Sequence, residues 1–284
     1  MDNARPSLTA LRVAMRRAAH QLYDAPPLVF NDPFAVQILG DHAAEIERTP
    51  GRNPGNKPRP FSVSLRAFLL ARSRYAEDLL AHAAQGGVTQ YVLLGAGLDT
   101  FAHRNPYPSL RIFEVDHPAT QQWKRDLLQS TGLPAPADLT YVPVDFEHQS
   151  LANQLKTAGL NPVAPTFFAW LGVVPYLTLR AFRETLRFIA AHPPGSGVVF
   201  DYGQPRDVLP PYEQQARDSL ASRVHLAGES FQLFFTPTQI AAQLAAFRNL
   251  EDLGAPEINA RYFANRVDDL KMIGSAARVI SAWL

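Results

Sequence analysis

The chain contains no cysteine. That excludes disulfides, thiolate nucleophiles, iron–sulfur clusters and cysteine-ligated zinc. An excess of charge of one sign is also missing: 27 Lys+Arg against 26 Asp+Glu leave a formal net charge of +1. Such a balance points to neither nucleic acid nor an anionic membrane as partner. Long hydrophobic runs are absent too. The most apolar stretch, 163–177, is broken by Pro165 and Pro175 and falls short of the about 20 residues that a membrane span needs. Arg12, Arg16 and Arg17 interrupt the place where a signal peptide would carry its apolar segment. These absences together predict a cytoplasmic protein with no membrane anchor. The eight histidines form no HxxxH or HxH pair, so no metal site is expected.

What is present is globular: 284 residues, 46% of them hydrophobic. The length suits two domains, or one α/β domain with insertions. Ser7 is placed to cap a helix over 8–23 that Pro26 and Pro27 stop. A short helix follows Asp32 and Pro33. The stretch 49–60, rich in proline, glycine and basic residues, can hold no regular element. From there the pattern alternates. A long helix is predicted over 61–84, then strands over 90–94, 110–115, 139–144, 166–170 and 197–202. Helices over 118–130, 151–158 and 179–191 lie between them. This order predicts a mainly parallel sheet covered on both faces, whose strands read as continuous apolar runs. Beyond it, 206–226 and 237–246 read as helices and 277–284 as a last strand.

The first strand runs directly into Gly95-Ala96-Gly97. Glycines there let a ligand approach the backbone closely, at the strand ends where doubly wound sheets bind ligands. Asp116 closes the second strand, about 20 residues on, where a carboxylate can accept from both hydroxyls of a ribose. Glu114, two residues earlier, is the alternative. The third glycine of a dinucleotide fingerprint is missing, since position 100 is Thr. The third strand ends in Asp145-Phe146, a pair able to hold an adenine amino group and pack on its ring. As ordinary residues they would cap a turn and fill the core. From these residues alone a nicotinamide site and another nucleoside site both stay open.

Four blocks then occur in order: Arg72-Ser73-Arg74-Tyr75, Leu93 through Thr100 (LLGAGLDT), Phe113 through Pro118 (FEVDHP) and Val142 through Phe146 (VPVDF). With 28–40 (LVFNDPFAVQILG), they resemble the leucine carboxyl methyltransferase-like family of class I S-adenosylmethionine-dependent methyltransferases, which includes bacterial polyketide carboxyl O-methyltransferases. The resemblance covers residues 9–178. It implies a Rossmann-like fold with a mainly parallel seven-stranded sheet, an N-terminal helical lid over 1–60, and a methyltransferase domain over 61–284 with an insertion near 203–248. It implies S-adenosyl-L-methionine as cofactor. Arg72 would grip the methionine carboxylate through paired hydrogen bonds. Gly95, Ala96 and Gly97 would pass beneath the methionine and ribose. Asp116 would meet the ribose, His117 would also contact the cofactor, and Asp145 and Phe146 would meet the adenine. Tyr176 matches a tyrosine near the methyl group. Where the family often has a glutamate near the cofactor, this chain has Leu171, which keeps alive a nucleoside-binding module without turnover.

The implied reaction is O-methylation of a small-molecule carboxylate, such as a polyketide or other secondary metabolite. A phenol or a protein C-terminal carboxylate is the alternative. A carboxylate is anionic at pH 7 and needs no base, so Tyr176 and Arg104 would serve only to orient it. A phenol would gain from a base, with His103, His117 and His148 near the strand ends as candidates. Asp99 and Asp201 are read as structural. The run 231–235 (FQLFF) is read as lining an apolar acceptor pocket, as core, or as the contact of a homodimer.

Overall fold

The computed structural model describes residues 6–48, 60–146 and 148–284. The proline-rich stretch 49–59 lies outside the described residues. Seven strands form one sheet: β1 (Gln90–Leu94), β2 (Arg111–Asp116), β3 (Leu139–Pro143), β4 (Thr166–Trp170), β5 (Gly197–Gly203), β6 (Arg248–Leu253) and β7 (Ala277–Trp283). Their order is β3-β2-β1-β4-β5-β7-β6. The first five run parallel. β7 inserts antiparallel between β5 and β6. The strand order reverses between β1 and β4, which opens a crevice at their carboxyl ends.

The strands alternate their side chains between two cores. Tyr91, Leu93, Phe167, Ala169 and Val199 pack on one face. Val92, Leu94, Phe168, Trp170 and Phe200 pack on the other. Helix α2 (Pro60–Gln85) covers the first face through Phe68, Ala71, Tyr75 and Leu80. Helix α5 (Leu179–Ala190) covers the second through Phe182, Leu186 and Ile189. A third, smaller cluster joins α1 (Leu8–Tyr23) to the following 3₁₀ turns and to α3 (Pro118–Ser130), through Leu11, Ala18, Ile38, Leu98 and Leu128. The remaining helices are α4 (Leu151–Thr157), α6 (Pro211–His225), α7 (Pro237–Gln243) and α8 (Ala255–Ile258).

The caps act where the sequence puts them. Ser7 Oγ accepts from Ala10 N–H at 3.1 Å and Thr178 Oγ1 from Ala181 N–H at 3.2 Å, each satisfying a donor at a helix start. Three expectations change. After Asp32 the chain forms a turn and the 3₁₀ segment Gln37–Arg48, kinked at Gly40, rather than an α-helix. Asp32 still caps that turn, its Oδ1 accepting from Phe34 N–H at 3.2 Å while its Oδ2 lies 3.0 Å from Arg17 Nε. The helix over 206–226 is split, since Pro210 and Pro211 admit only a fresh N-terminus there. Strand β6 was not anticipated: its sequence, RNLEDL, is polar because it is an exposed edge. Among the described residues, no helix is long and apolar enough to cross a membrane.

Candidate functional site

A cavity of about 370 Å³ opens at the carboxyl ends of β1, β2 and β4, at the point of strand reversal. Its floor is the turn Gly95–Asp99. Gly95 has φ +70°, and a Cβ there would lie 2.2 Å from Val173 Cγ2. Only glycine lets this turn pass under the chain that leaves β4. Asp116 hangs beside it. Gly97 N–H donates to its Oδ2 at 2.5 Å, and His117 N–H to its Oδ1 at 2.6 Å. Each carboxylate oxygen has capacity for a second donor, and Asp116 lines the cavity. Burial pushes the Asp116 carboxyl above its ordinary range, against the two backbone donors. His117 lines the cavity and caps α3, its Nδ1 accepting from Ala119 N–H at 3.3 Å.

Arg72 reaches the cavity from α2. Its Nη1 donates to Asp201 Oδ2 at 2.7 Å, and Asp201 Oδ1 accepts from Gly172 N–H at 2.5 Å. Gly172 has φ +75°, and a Cβ there would stand 2.8 Å from Arg72 Nη2. The guanidinium is thus clamped between β5 and the turn after β4. Its Nε is buried without a hydrogen-bond partner among the described residues, a donor left for a ligand to satisfy. At the far end stand Asp145 and Phe146. Asp145 Oδ2 lies 2.8 Å from His148 Nδ1. Leu171 packs at the rim of the α2 core and lines the cavity as an apolar group.

Two segments distant in sequence border the cavity opposite its floor. One is the start of α1, with Ser7, Ala10 and Val13 against the glycine turn; a Cβ on Gly97 would come within 3.2 Å of Ala10 Cβ. The other links α6 to α7 and supplies Gly228, Glu229, Ser230 and Gln232. Ser7 Oγ donates to Glu229 Oε1 at 2.7 Å, and Ser7 N–H to Thr120 Oγ1 at 3.2 Å. Gln232 N–H donates to Pro175 O at 2.7 Å, and Gln232 Nε2 to Tyr176 O at 3.0 Å. Tyr176 packs on Phe231 with ring centroids 5.1 Å apart. Burial first, and the charge of Glu229 second, push its phenol well above the usual tyrosine range. It is therefore a hydrogen-bond donor at neutral pH, not a base.

Of the residues singled out in the sequence, Arg72, Gly95, Ala96, Gly97, Asp116, His117, Asp145, Phe146, Leu171 and Tyr176 all line this cavity. Arg104 does not. Its guanidinium forms a two-pronged pair with the Glu77 carboxylate and lies 4.9 Å from the centre of the Phe30 ring. It is a structural tie between α2 and the N-terminal segment. Glu114 is also removed from ligand contact. It is buried, and its Oε2 accepts from Lys124 Nζ at 2.6 Å. His103 is outside the lining and packs beside Phe34. The run 231–235 divides: Leu233 and Phe235 enter the core, while Phe234 lies under Arg217. The structural reading of Asp99 fits its hydrogen bond from Phe101 N–H at 2.7 Å. Sequence reasoning missed Asp201 as the partner of Arg72, and missed Arg17, Glu229 and Gln232 altogether. An acid inside the apolar strand GVVFDYG was a signal for Asp201; nothing in the local sequence marked the others.

The cavity can be tested against a nucleoside sulfonium from these residues alone. Its lining carries Arg17 and Arg72 against Asp99, Asp116, Asp145 and Glu229. Both guanidiniums already face carboxylates, Arg17 being 3.6 Å from Asp99 and Arg72 bound to Asp201. The site is acidic, as a cationic ligand requires. The orphaned Arg72 Nε suits a ligand carboxylate, and the open lone pairs of Asp116 suit hydroxyls. An open α/β sheet with this crevice defines a class I methyltransferase fold. The same fold is seen in a solved "putative methyltransferase" from Thermobifida fusca YX (TM-score 0.55, 17% identity, 99% of this chain and 96% of that one). A DUF574 family protein from Streptomyces avermitilis MA-4680 shares it at TM-score 0.55 and 15% identity, over 88% and 96% of the two chains.

Residues 10–190 match the leucine carboxyl methyltransferase family, and the chain belongs to it. It is 33% identical over 286 residues to the "Putative S-adenosyl-L-methionine-dependent methyltransferase YktD" of Bacillus subtilis (strain 168), covering 93% of each chain. A protein named in the same way from Mycobacteroides abscessus (strain ATCC 19977) is 32% identical over 199 residues, 69% of this chain and 64% of that one. The chain is an S-adenosyl-L-methionine-dependent methyltransferase, and S-adenosyl-L-methionine is its cofactor.

Proposed function

We propose that this enzyme methylates an oxygen atom of a small molecule. The observation that carries the reading is the partly open cavity of about 370 Å³, bordered by α1 and the link between α6 and α7. A space of that size holds the cofactor and the reacting end of a small acceptor. Within this reading residues 1–60 act as a helical lid, and 61–284 as the methyltransferase domain.

The cofactor supplies a methyl group on a positively charged sulfur, a leaving group that needs no further activation. What the chain contributes is position. Arg72, held by Asp201, takes the methionine carboxylate through its free donors. Asp116 takes the ribose hydroxyls, Asp145 the adenine amino group, and Phe146 the ring face. Gly95 to Gly97 bring the backbone close beneath. Tyr176, protonated and fixed against Phe231, orients the acceptor at the β4 end. Two oxygen acceptors are open to such a site. The family's name supports a carboxylate, including polyketide and other secondary-metabolite acids, while the charge of the cavity favours a neutral hydroxyl. Incubation with cofactor labelled in the methyl group and a panel of small acids and phenols tests the reading. Labelled methyl esters or ethers are expected; transfer only to nitrogen, to carbon or to a protein carboxyl terminus would contradict it.

A further inference from the structure

Arg12, Arg16, Arg66 and Arg223 gather where α1 meets α2 and α6. Arg12 Nη1 donates to Arg223 O at 3.1 Å, which joins α1 to α6. Arg16 stands one turn further along α1, and its Nη1 donates to Arg12 O at 3.4 Å. Arg223 Nη1 donates to Ser219 Oγ at 3.2 Å. Arg66, on α2, donates to Asp24 Oδ1 at 2.8 Å, just past the end of α1. Its Nε is buried without a hydrogen-bond partner among the described residues. Arg12, Arg16 and Arg223 donate there only to neutral oxygens. Asp24, shared with His20 Nδ1 at 2.7 Å, is the one carboxylate bonded to any of the four among the described residues. The acids that flank Arg223 in the chain are engaged elsewhere, Asp218 with Arg206 at 3.0 Å and Glu229 with Ser7 Oγ at 2.7 Å. Burial first, and then the charges of Arg223, Arg12 and Arg66, push the Arg16 guanidinium down to about 10, so it stays charged at neutral pH. Like charges gathered without acids repel one another, and an oxyanion among them offsets that repulsion. The cluster also adjoins the site. Thr9 and Val13 line the cavity, and Arg12 and Arg16 follow them by three residues, a spacing that sets Cβ atoms on a helix about 5–6 Å apart.

We propose that Arg12, Arg16, Arg66 and Arg223 hold an oxyanion of the acceptor, a carboxylate or a phosphate, remote from the oxygen that is methylated. The proposal rests on the O-methyl reading above. The acceptors are then diacids, hydroxy acids or phosphorylated alcohols. One end enters the cavity beside Thr9 and Val13, and the other stays outside on the guanidiniums. Both oxyanions offer paired oxygens that match the fork of a guanidinium. Asp99, Asp116, Asp145 and Glu229 make the cavity itself acidic, so the attraction that draws an acidic acceptor to the site comes from the arginines at its border. The same contact selects acceptors by the distance between their two ends.

Methyl transfer is measured on straight-chain diacids, hydroxy acids and phosphorylated alcohols of increasing length. Each is set against the monoacid or alcohol that lacks the second charge. Arg16→Gln and Arg223→Gln are compared with the unaltered enzyme, and S-adenosylhomocysteine affinity and thermal unfolding are followed in each. The unaltered enzyme is expected to favour the acceptors with a second charge by about 10-fold or more in KM, the worth of a hydrogen bond to a charged group. The preference should peak at one chain length, and added salt or inorganic phosphate should erode it. A preference for the diacids and hydroxy acids identifies the group as a carboxylate, and one for the phosphorylated alcohols as a phosphate. Either variant should bring charged and uncharged partners near parity while S-adenosylhomocysteine affinity holds. Removing one of several like charges should leave the melting temperature level or raise it, whereas loss of a structural arginine would lower it. Equal use of both kinds of acceptor by the unaltered enzyme would overturn the proposal and leave the O-methyl reading standing. So would a fall in S-adenosylhomocysteine affinity that matches the lost preference, since the arginines would then serve the cofactor. Methyl found only on nitrogen or carbon would overturn both.

Discussion

The floor of the cavity comes from the ends of neighbouring parallel strands, whereas its cover comes from α1 and the link between α6 and α7, more than half the chain apart. The floor is held by backbone geometry and buried charge: the positive φ of Gly95, the clamp of Arg72 by Asp201, the donors on Asp116. The cover is held by the hydrogen bonds of Ser7 to Glu229 and of Gln232 to Pro175 and Tyr176, and on the α1 side also by buried Arg17, which reaches Leu98 O, and by the packing of Leu11 and Ala18 with Leu98. Breaking a buried pair costs far more than losing one partly solvated hydrogen bond. On this account the link between α6 and α7, tied by the fewest of these contacts, is the part of the site expected to yield first.

Substitutions on the two halves should separate by that measure. Gly95→Ala is expected to do most damage, about 3 kcal/mol or more, because it adds both a strained φ and a collision with Val173; chemical denaturation would show it. Asp201→Ala leaves Arg72 buried without its partner, and should lower stability by about 3 kcal/mol while weakening S-adenosylhomocysteine. Normal stability with normal affinity would show that the clamp is not what positions Arg72. Asp116→Asn should weaken S-adenosylhomocysteine by about 1.5 to 3 kcal/mol, the worth of hydrogen bonds to a charged group, with little loss of fold. Ser7→Ala removes an N-cap and the latch together and should cost only about 1 kcal/mol. Its mark should be faster dissociation of S-adenosylhomocysteine in stopped flow. A loss as large as that of Asp201→Ala would erase the distinction between floor and cover.

The raised carboxyl of Asp116 adds a pH test. Burial lifts its folded-state pKa above the unfolded value. The stability this group contributes is present below the unfolded pKa and is lost as pH rises through the folded one. Ribose hydroxyls favour the ionised form, so cofactor binding should release a proton and strengthen as pH rises through that acid range. Calorimetry in buffers of different ionisation enthalpy would read the proton directly. Asp116→Asn should abolish the dependence.

The same division marks how far the sequence could be read. Strand and helix positions over 60–203 follow from apolar runs and caps, because each is a local property: Ser7, Thr178 and Pro118 start helices where they stand. The glycine turn and its acids were legible for that reason. Arg104 was misread because its partner Glu77 is on another helix, and nothing in its neighbours predicts that pairing. Arg72 was singled out through resemblance; its contact with Asp201 spans 129 residues. Strand β6 escaped because an exposed edge carries charge instead of an apolar run. The cover was least legible of all. Glu229 and Ser7 meet across 222 residues, and neither lies in a motif.

The structure of the enzyme with S-adenosylhomocysteine bound would test the account most directly. The account predicts the methionine carboxylate on Arg72, the ribose hydroxyls on Asp116 and the adenine between Asp145 and Phe146. The sulfur should face Tyr176. A ligand whose carboxylate lies away from Arg72, with Arg72 still bound only to Asp201, and whose ribose lies away from Asp116 would contradict it.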